Sequence, residues 1–192
     1  MKKFLNLIVL SAILSFSGCV RTSKYMKTAS YNGIPAEVAG KATVVFYRPD
    51  IFAGSAIQSS VFDVTTEENI IVGILPAGNK IIYITKPGDA LFMVAGENAD
   101  FLKLPLEAEK IYYIKMTTAM GAFKARFHLK EITETELQDK MFKEALDNAV
   151  TLEKSEDTEK WAEDNAKSIR SKREKYYKKW TLKTADRENE EN

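Results

Sequence analysis

Between residues 41 and 131 the chain alternates short β-rich runs with turn-forming residues, and this texture restricts the fold more than anything else in it. The runs are KATVVFYR (41–48), AIQSSVFDV (56–64), NIIVGIL (69–75), NKIIYITK (79–86), ALFMVA (90–95), DFLKLPL (100–106), KIYYIKMTT (110–118) and AFKARFHLKEI (122–132). Pro49-Asp50, Pro76-Ala77-Gly78, Pro87-Gly88-Asp89 and Gly96-Glu97-Asn98 separate them, all strong turn formers. About eight short strands at near-regular spacing predict an antiparallel sandwich or barrel, and the β-sandwich is the expected fold. In the last run Phe123, Ala125, Phe127 and Leu129 share one face while Lys124, Arg126, His128 and Lys130 share the other, the period of a half-buried strand. Pro105 confines its strand to an edge, because proline cannot donate to a central ladder. Val44, Phe46, Ile82, Ile84, Tyr113 and Phe127 are the expected core.

From Thr133 the period changes to that of a helix, so the expected fold is mainly β with an α C-terminal segment of two helices. Thr133 and Glu136 have capping-box spacing. Leu137, Met141, Ala145, Ala149 and Leu152 then form a stripe, broadened by Phe142 and Leu146, that calls for burial on the sandwich. A break at Ser155-Glu156-Asp157-Thr158 predicts a second helix to about Leu182. Its stripe is Ala162, Ala166, Ile169, Arg173, Tyr176 and Trp180, with the Arg173 stem lying along the contact and its guanidinium reaching water.

The N-terminus carries a different signal. Lys2 and Lys3 precede an apolar stretch, residues 4–14, too short to span a bilayer, and small residues follow up to Cys19. The ending Phe16-Ser17-Gly18-Cys19 is similar to a bacterial lipobox, in which the Cys is lipidated and becomes the first mature residue; Phe16 stands where Leu is usual. A lipoprotein Cys carries several acyl chains, which makes attachment effectively permanent. Val20, where Asp would resemble an inner-membrane retention signal, favours the outer membrane. The chain therefore divides into a signal peptide (1–18), a lipidated Cys and tether (19–40), a β-sandwich domain (41–132), a helical segment (133–183) and a polar tail (184–192). As a flexible chain the tether would span about 25 Å.

ATVVFYRP (42–49), LPAGNKIIYITKPG (75–88) and KIYYIK (110–115) resemble a widespread family of bacterial lipoproteins of unknown function. That family has a single β-sandwich domain that opens with a strand ending in Tyr-Arg-Pro and places a Pro-Gly turn before a central strand. The resemblance covers about residues 41–132 and implies an envelope lipoprotein with a sandwich head; it brings no catalytic residue with it.

Composition excludes several kinds of chemistry. The one Cys rules out an intramolecular disulfide framework, and the one His rules out a His-clustered metal site. A formal net charge of +1 in 192 residues gives no general pull toward nucleic acid. No dinucleotide, P-loop, zinc-protease, nucleophile-elbow or EF-hand motif occurs, and no cofactor is expected. His128 reads as an exposed or hydrogen-bonded strand residue without a carboxylate pattern nearby, and Arg48 as a strand-end cap or ion-pair member. The pairs Glu67-Glu68 and Glu107 with Glu109 read as solvated turn acids; a glycosidase would need two such groups facing across a cleft.

The remaining candidate is SIRSKREKYYKKWTLK (168–183), where Arg170, Lys172, Lys175, Lys178 and Lys179 alternate with Tyr176, Tyr177 and Trp180. Such a segment can meet an anionic surface or acidic partner, or can pack its aromatics and leave its charges in water. The expectation is a non-enzymatic, lipid-anchored envelope protein facing the periplasm. It would present a structural or binding surface to an envelope protein or a cell-wall partner. The competing expectation is an envelope enzyme acting on glycan or peptide, with carboxylates at the sandwich loops.

Overall fold

The computed structural model describes residues 23–31, 33–50, 57, 59–120 and 125–190. Signal segment 1–18, Cys19, Phe123 and Lys124 lie outside the described residues. The described strands are β1 (Met26–Thr28), β2 (Ala42–Arg48), β3 (Ser60–Asp63), β4 (Ile70–Ile74), β5 (Asn79–Thr85), β6 (Gly88–Ala95), β7 (Ala99–Leu106), β8 (Ile111–Met120), β9 (Ala125–Glu131) and β10 (Val150–Lys154). The helices are α1 (Glu134–Gln138), α2 (Lys140–Asn148), α3 (Asp157–Asp164) and α4 (Ala166–Glu190). Two sheets result, one ordered β1-β10-β5-β2-β8-β9 and one ordered β4-β3-β6-β7. The chain is thus mainly β and sandwich-like with C-terminal helices, but has ten strands and four helices among the described residues. The larger sheet is also mixed: β2 runs parallel to β8, and β10 parallel to β5.

The core follows from alternation. Val44 and Phe46 of β2 point between the sheets, where Phe46 meets Phe92 edge-on at 5.1 Å. Val45 and Tyr47 point the other way and are covered by Phe142, Leu146 and Ala149 of α2 and its end. Every residue of β2 is therefore buried. On the opposite side, Phe62, Ile71, Met93 and Phe101 form the outer face of the smaller sheet and are covered from α3 and α4 by Trp161, Ile169, Tyr176 and Trp180. The order through the molecule is helix, sheet, sheet, helix.

Of the expected core, Val44, Phe46 and Phe127 are fully buried, and Ile82 and Tyr113 are half-buried. Ile84 is a correction, at 46% exposed. Ile82 pairs with Val45 on the outer face under α2, whereas Ile84 lies two pairs further along, opposite Thr43. Pro105 does lie on an edge strand, β7, paired with Asp89.

The segment read as one helix after Thr133 is also corrected. The capping box forms, with Glu136 N donating to Thr133 Oγ1 (3.3 Å) and Thr133 N to Glu136 Oε2 (3.1 Å). Asp139 then turns extended and recaps the chain, accepting from Phe142 N at 2.8 Å. This break resets the helical phase, so Leu146 faces the sheet while Met141 is 80% exposed. Leu152 leaves the helix altogether and pairs with Ile81 as part of β10. The second predicted helix is likewise two, divided at Asn165, and Ala166 is exposed.

Strands from outside 41–132 complete the larger sheet. β1 lies within the segment read as tether and pairs antiparallel with β10. The sheets are latched where their edges meet: Asn98 Oδ1 accepts from Phe127 N (3.0 Å), Asn98 Nδ2 donates to Phe127 O (3.2 Å) and Asp100 Oδ2 accepts from Leu129 N (3.2 Å). These side chains satisfy backbone groups that the outer strand β9 would otherwise leave open.

Candidate partner surface on helix α4

Helix α4 begins where Asn165 ends α3, with its Nδ2 donating to Trp161 O at 2.8 Å. From there it crosses the outer face of the smaller sheet. Ile169 is 5% exposed, and Tyr176 and Trp180 are half-buried. Phe101 of β7 meets Tyr177 at 5.3 Å and Trp180 at 5.9 Å, and Tyr177 stacks on Trp180 at 5.8 Å. The stripe is thus used for packing, as its spacing predicts.

Two basic residues are drawn into that packing. Arg173 is bound to protein oxygens rather than left to water. Its Nη2 donates to Val64 O (2.9 Å) and Thr66 O (2.8 Å), and its Nη1 to Glu67 O (3.0 Å), Glu68 O (3.4 Å) and Asn69 Oδ1 (2.9 Å). The guanidinium fork fills the ring of carbonyls that the β3–β4 loop turns inward. Lys172 donates to Gly96 O.

Arg170, Lys175, Lys178 and Lys179 stay exposed. Lys175 Nζ and Lys179 Nζ approach the Tyr176 ring at 5.5 and 5.8 Å, both in cation–π range. None of these four cations has an ion pair among the described residues, while the acids of α3 pair locally, Lys160 with Asp164 at 3.4 Å for example. The five candidate residues therefore separate, with Lys172 structural and four solvated on one helix.

Beside this helix lies a cavity of about 750 Å³, walled by Trp180, Lys183 and Thr184 of α4, by β7 and by His128 and Leu129 of β9. His128 is exposed on the polar face of β9 as expected, but a carboxylate does lie beside it: its Nδ1 is 3.3 Å from Asp100 Oδ2. The partner comes from another sheet, so no local pattern announces it. Asp89 and Lys103 pair at 3.4 Å across the β6–β7 ladder at the same cavity.

Three groups with displaced pKa values make structural bonds. Burial pushes Arg48 down to about 10; its Nη1 donates to Ile57 O (2.8 Å) and Leu75 O (3.0 Å), and the group lies 5.0 Å from the Phe127 ring centroid. Burial also lowers Lys80, which donates to Leu146 O at 2.9 Å and so ties α2 to β5. Burial and Asp63 push Tyr83 up to about 12, its hydroxyl donating to Asp63 Oδ2 at 2.9 Å. Among the turn acids, Glu107 pairs with Lys110 at 2.7 Å, and Glu109, at φ 64°, accepts from Gly40 N at 3.3 Å. Among the described residues no group of three or more His, Cys, Asp or Glu could hold a metal ion, and no helix is long and apolar enough to cross a membrane.

Comparison with protein-family models, with curated proteins and with solved structures gives no match for this chain.

Proposed function

We propose that this chain is a non-enzymatic lipoprotein of the bacterial cell envelope. In this reading it is anchored through Cys19, its folded body no more than a few residues of chain from the lipid, and faces the periplasm from the outer membrane. It presents α4 to an envelope protein or a cell-wall partner. The observation that carries this reading is the short path from anchor to body. Ser23 is already buried, and β1 begins at Met26. The four residues from Cys19 to Ser23 reach at most about 14 Å when fully extended. A head held that close to the lipid suits a fixed presenting role.

Supporting it, the shifted groups Arg48, Lys80 and Tyr83 each serve a structural bond in a different part of the fold. The anchor is tested by Cys19→Ser in cells. The expected result is loss of detergent-phase partitioning, with soluble protein or unprocessed precursor appearing. Normal maturation and unchanged partitioning would sink the lipoprotein reading.

The enzyme reading keeps one observation in its favour, the shared cavity of Asp89, Asp100 and His128. Release of reducing ends from envelope glycan by the purified protein, lost in Asp100→Asn, would replace the binding reading with it.

A further inference from the structure

We infer that the cavity between α4, β7 and β9 is a binding site for a neutral, polyhydroxylated ligand, a segment of oligosaccharide. The inference deepens the proposed partner role of α4 but does not depend on the anchor at Cys19, because every wall of the site belongs to the folded body. Its volume of about 750 Å³ lies in the range of sites that hold small ligands.

Three features select the ligand. The first is charge. The cavity is lined by two carboxylates, Asp89 and Asp100, and by two ammonium groups, Lys103 and Lys183, with His128 beside Asp100. Two carboxylates oppose a phosphate or an acidic polymer, and two ammonium groups oppose a cation, so the balance favours an uncharged guest. The second is hydrogen-bonding character. Carboxylates only accept and ammonium groups only donate, while Thr184, whose hydroxyl donates to Trp180 O at 2.9 Å, offers an acceptor. The pairs Asp89–Lys103 and Asp100–His128 therefore set acceptors beside donors at 3.4 and 3.3 Å. A sugar hydroxyl, which donates and accepts through one oxygen, suits such a row. The third is the aromatic wall. Trp180 lines the cavity and is braced by Phe101 at 5.9 Å and by Tyr177, stacked at 5.8 Å. A half-buried, braced indole offers the C–H face of a sugar ring a flat apolar surface at little entropic cost.

The site is also rigid where it needs to be. Asp100 is held by Leu129 N as well as by His128, so its carboxylate is positioned before a ligand arrives.

The test is a titration of the isotope-labelled full chain carrying Cys19→Ser, followed by amide and indole chemical shifts. The probes are a neutral N-acetylglucosamine tetramer, a neutral glucose tetramer and an anionic uronate-containing tetramer. The expected result is saturable shifts of the Trp180 indole and of amides around Asp100 and His128 with a neutral tetramer, at a Kd of roughly 0.1–1 mM. Whichever neutral tetramer binds more tightly reports whether the acetamide is recognised. Asp89→Asn and Lys103→Gln, both at exposed positions that leave the core intact, should each weaken binding by about fivefold or more. Trp180→Ala should abolish it. If that variant does not fold, the Asp89 and Lys103 variants decide alone. Absence of shifts with both neutral tetramers at about 10 mM, shifts with the anionic tetramer only, or unaltered affinity in both exposed variants would each overturn the proposal.

Discussion

Replacing Arg173 with Met keeps the apolar stem of the side chain and removes the fork that holds the β3–β4 loop. Five oxygens lose their donor at once: four backbone carbonyls and Asn69 Oδ1, at 2.8 to 3.4 Å. A hydrogen bond to a charged group contributes about 1.5–3 kcal/mol when buried, and contributions at one side chain do not add. Several of these carbonyls lie at the surface, where water replaces the lost donor. The expected cost of Arg173→Met is therefore about 2–3 kcal/mol for the whole fork. At this chain length that corresponds to roughly 5–10 °C in Tm. Arg173→Lys separates charge from shape. An ammonium restores the charge but cannot reach acceptors on both sides of the fork, so it should recover only about half of the loss. The assay is urea unfolding of the chain carrying Cys19→Ser, with limited proteolysis in the loop as a second readout. A loss below about 0.5 kcal/mol in the Met variant, or full recovery by Lys, would refute the claim that the fork secures α4 to the smaller sheet.

Phe127→Ala should cost about 3–5 kcal/mol in the same urea assay, since the ring is fully buried between the Arg48 guanidinium and Gly96. Gly96→Ala should also destabilise, by about 1–3 kcal/mol, because an added Cβ would lie 2.5 Å from Phe127 Cδ2. Glu136, whose carboxyl is lowered to about 2 by Thr133 N and by Lys130, should stabilise α1 at neutral pH and progressively less as pH falls from about 4.5 to about 2. Glu136→Gln should flatten that part of the stability–pH curve, and an unchanged curve would contradict the assignment. Truncation after Ile132 should leave an insoluble or unfolded product, because it removes β10 from between β1 and β5; a soluble product with a cooperative melt would show that 41–132 stands alone.

The readable parts of the fold are those fixed by short-range pattern. The turns at Pro76-Ala77-Gly78 and Gly96-Glu97-Asn98, the edge position of Pro105 and the Thr133–Glu136 box all depend on neighbours in sequence. What was not readable depends on partners far away. Val150 to Leu152 continues a helical stripe on paper, yet it pairs with Asn79 to Ile81 because the larger sheet offers β5 an open side there. The phase shift at Asp139 turns on one residue adopting an extended conformation, which a periodicity count passes over. In the site, the spacing separated the packed Ile169, Tyr176 and Trp180 from the solvated Lys175, Lys178 and Lys179, but not from Lys172, which is bound to Gly96 O. It misplaced Arg173 and could not see Asp100 beside His128, since both depend on oxygens from other strands.

The same distant pairings explain how the chain's beginning comes to hold its end. β1 does not pair with the next strand in sequence but with β10, with Lys27 and Glu153 joined at 3.2 Å. Immediately after β10, Ser155 N donates to Tyr25 O at 3.4 Å and to Thr158 Oγ1 at 2.9 Å, and the Thr158 hydroxyl donates to Tyr25 O. Tyr25 also meets Trp161 of α3 at 5.9 Å. The root of the helical segment is thus fastened to the residues that directly follow the proposed anchor. From that root α4 runs 25 residues, about 37 Å at helical rise. Were residues 20–40 a free tether, the cations of α4 would sweep a volume set by chain statistics. With β1 in the sheet and Arg173 and Lys172 holding the helix, Lys175, Lys178 and Lys179 keep one position relative to the strand that leads to Cys19. If the chain is anchored at Cys19 as proposed, a partner recognised there would be met within a short reach of the lipid, which is the mechanical property a presenting role requires.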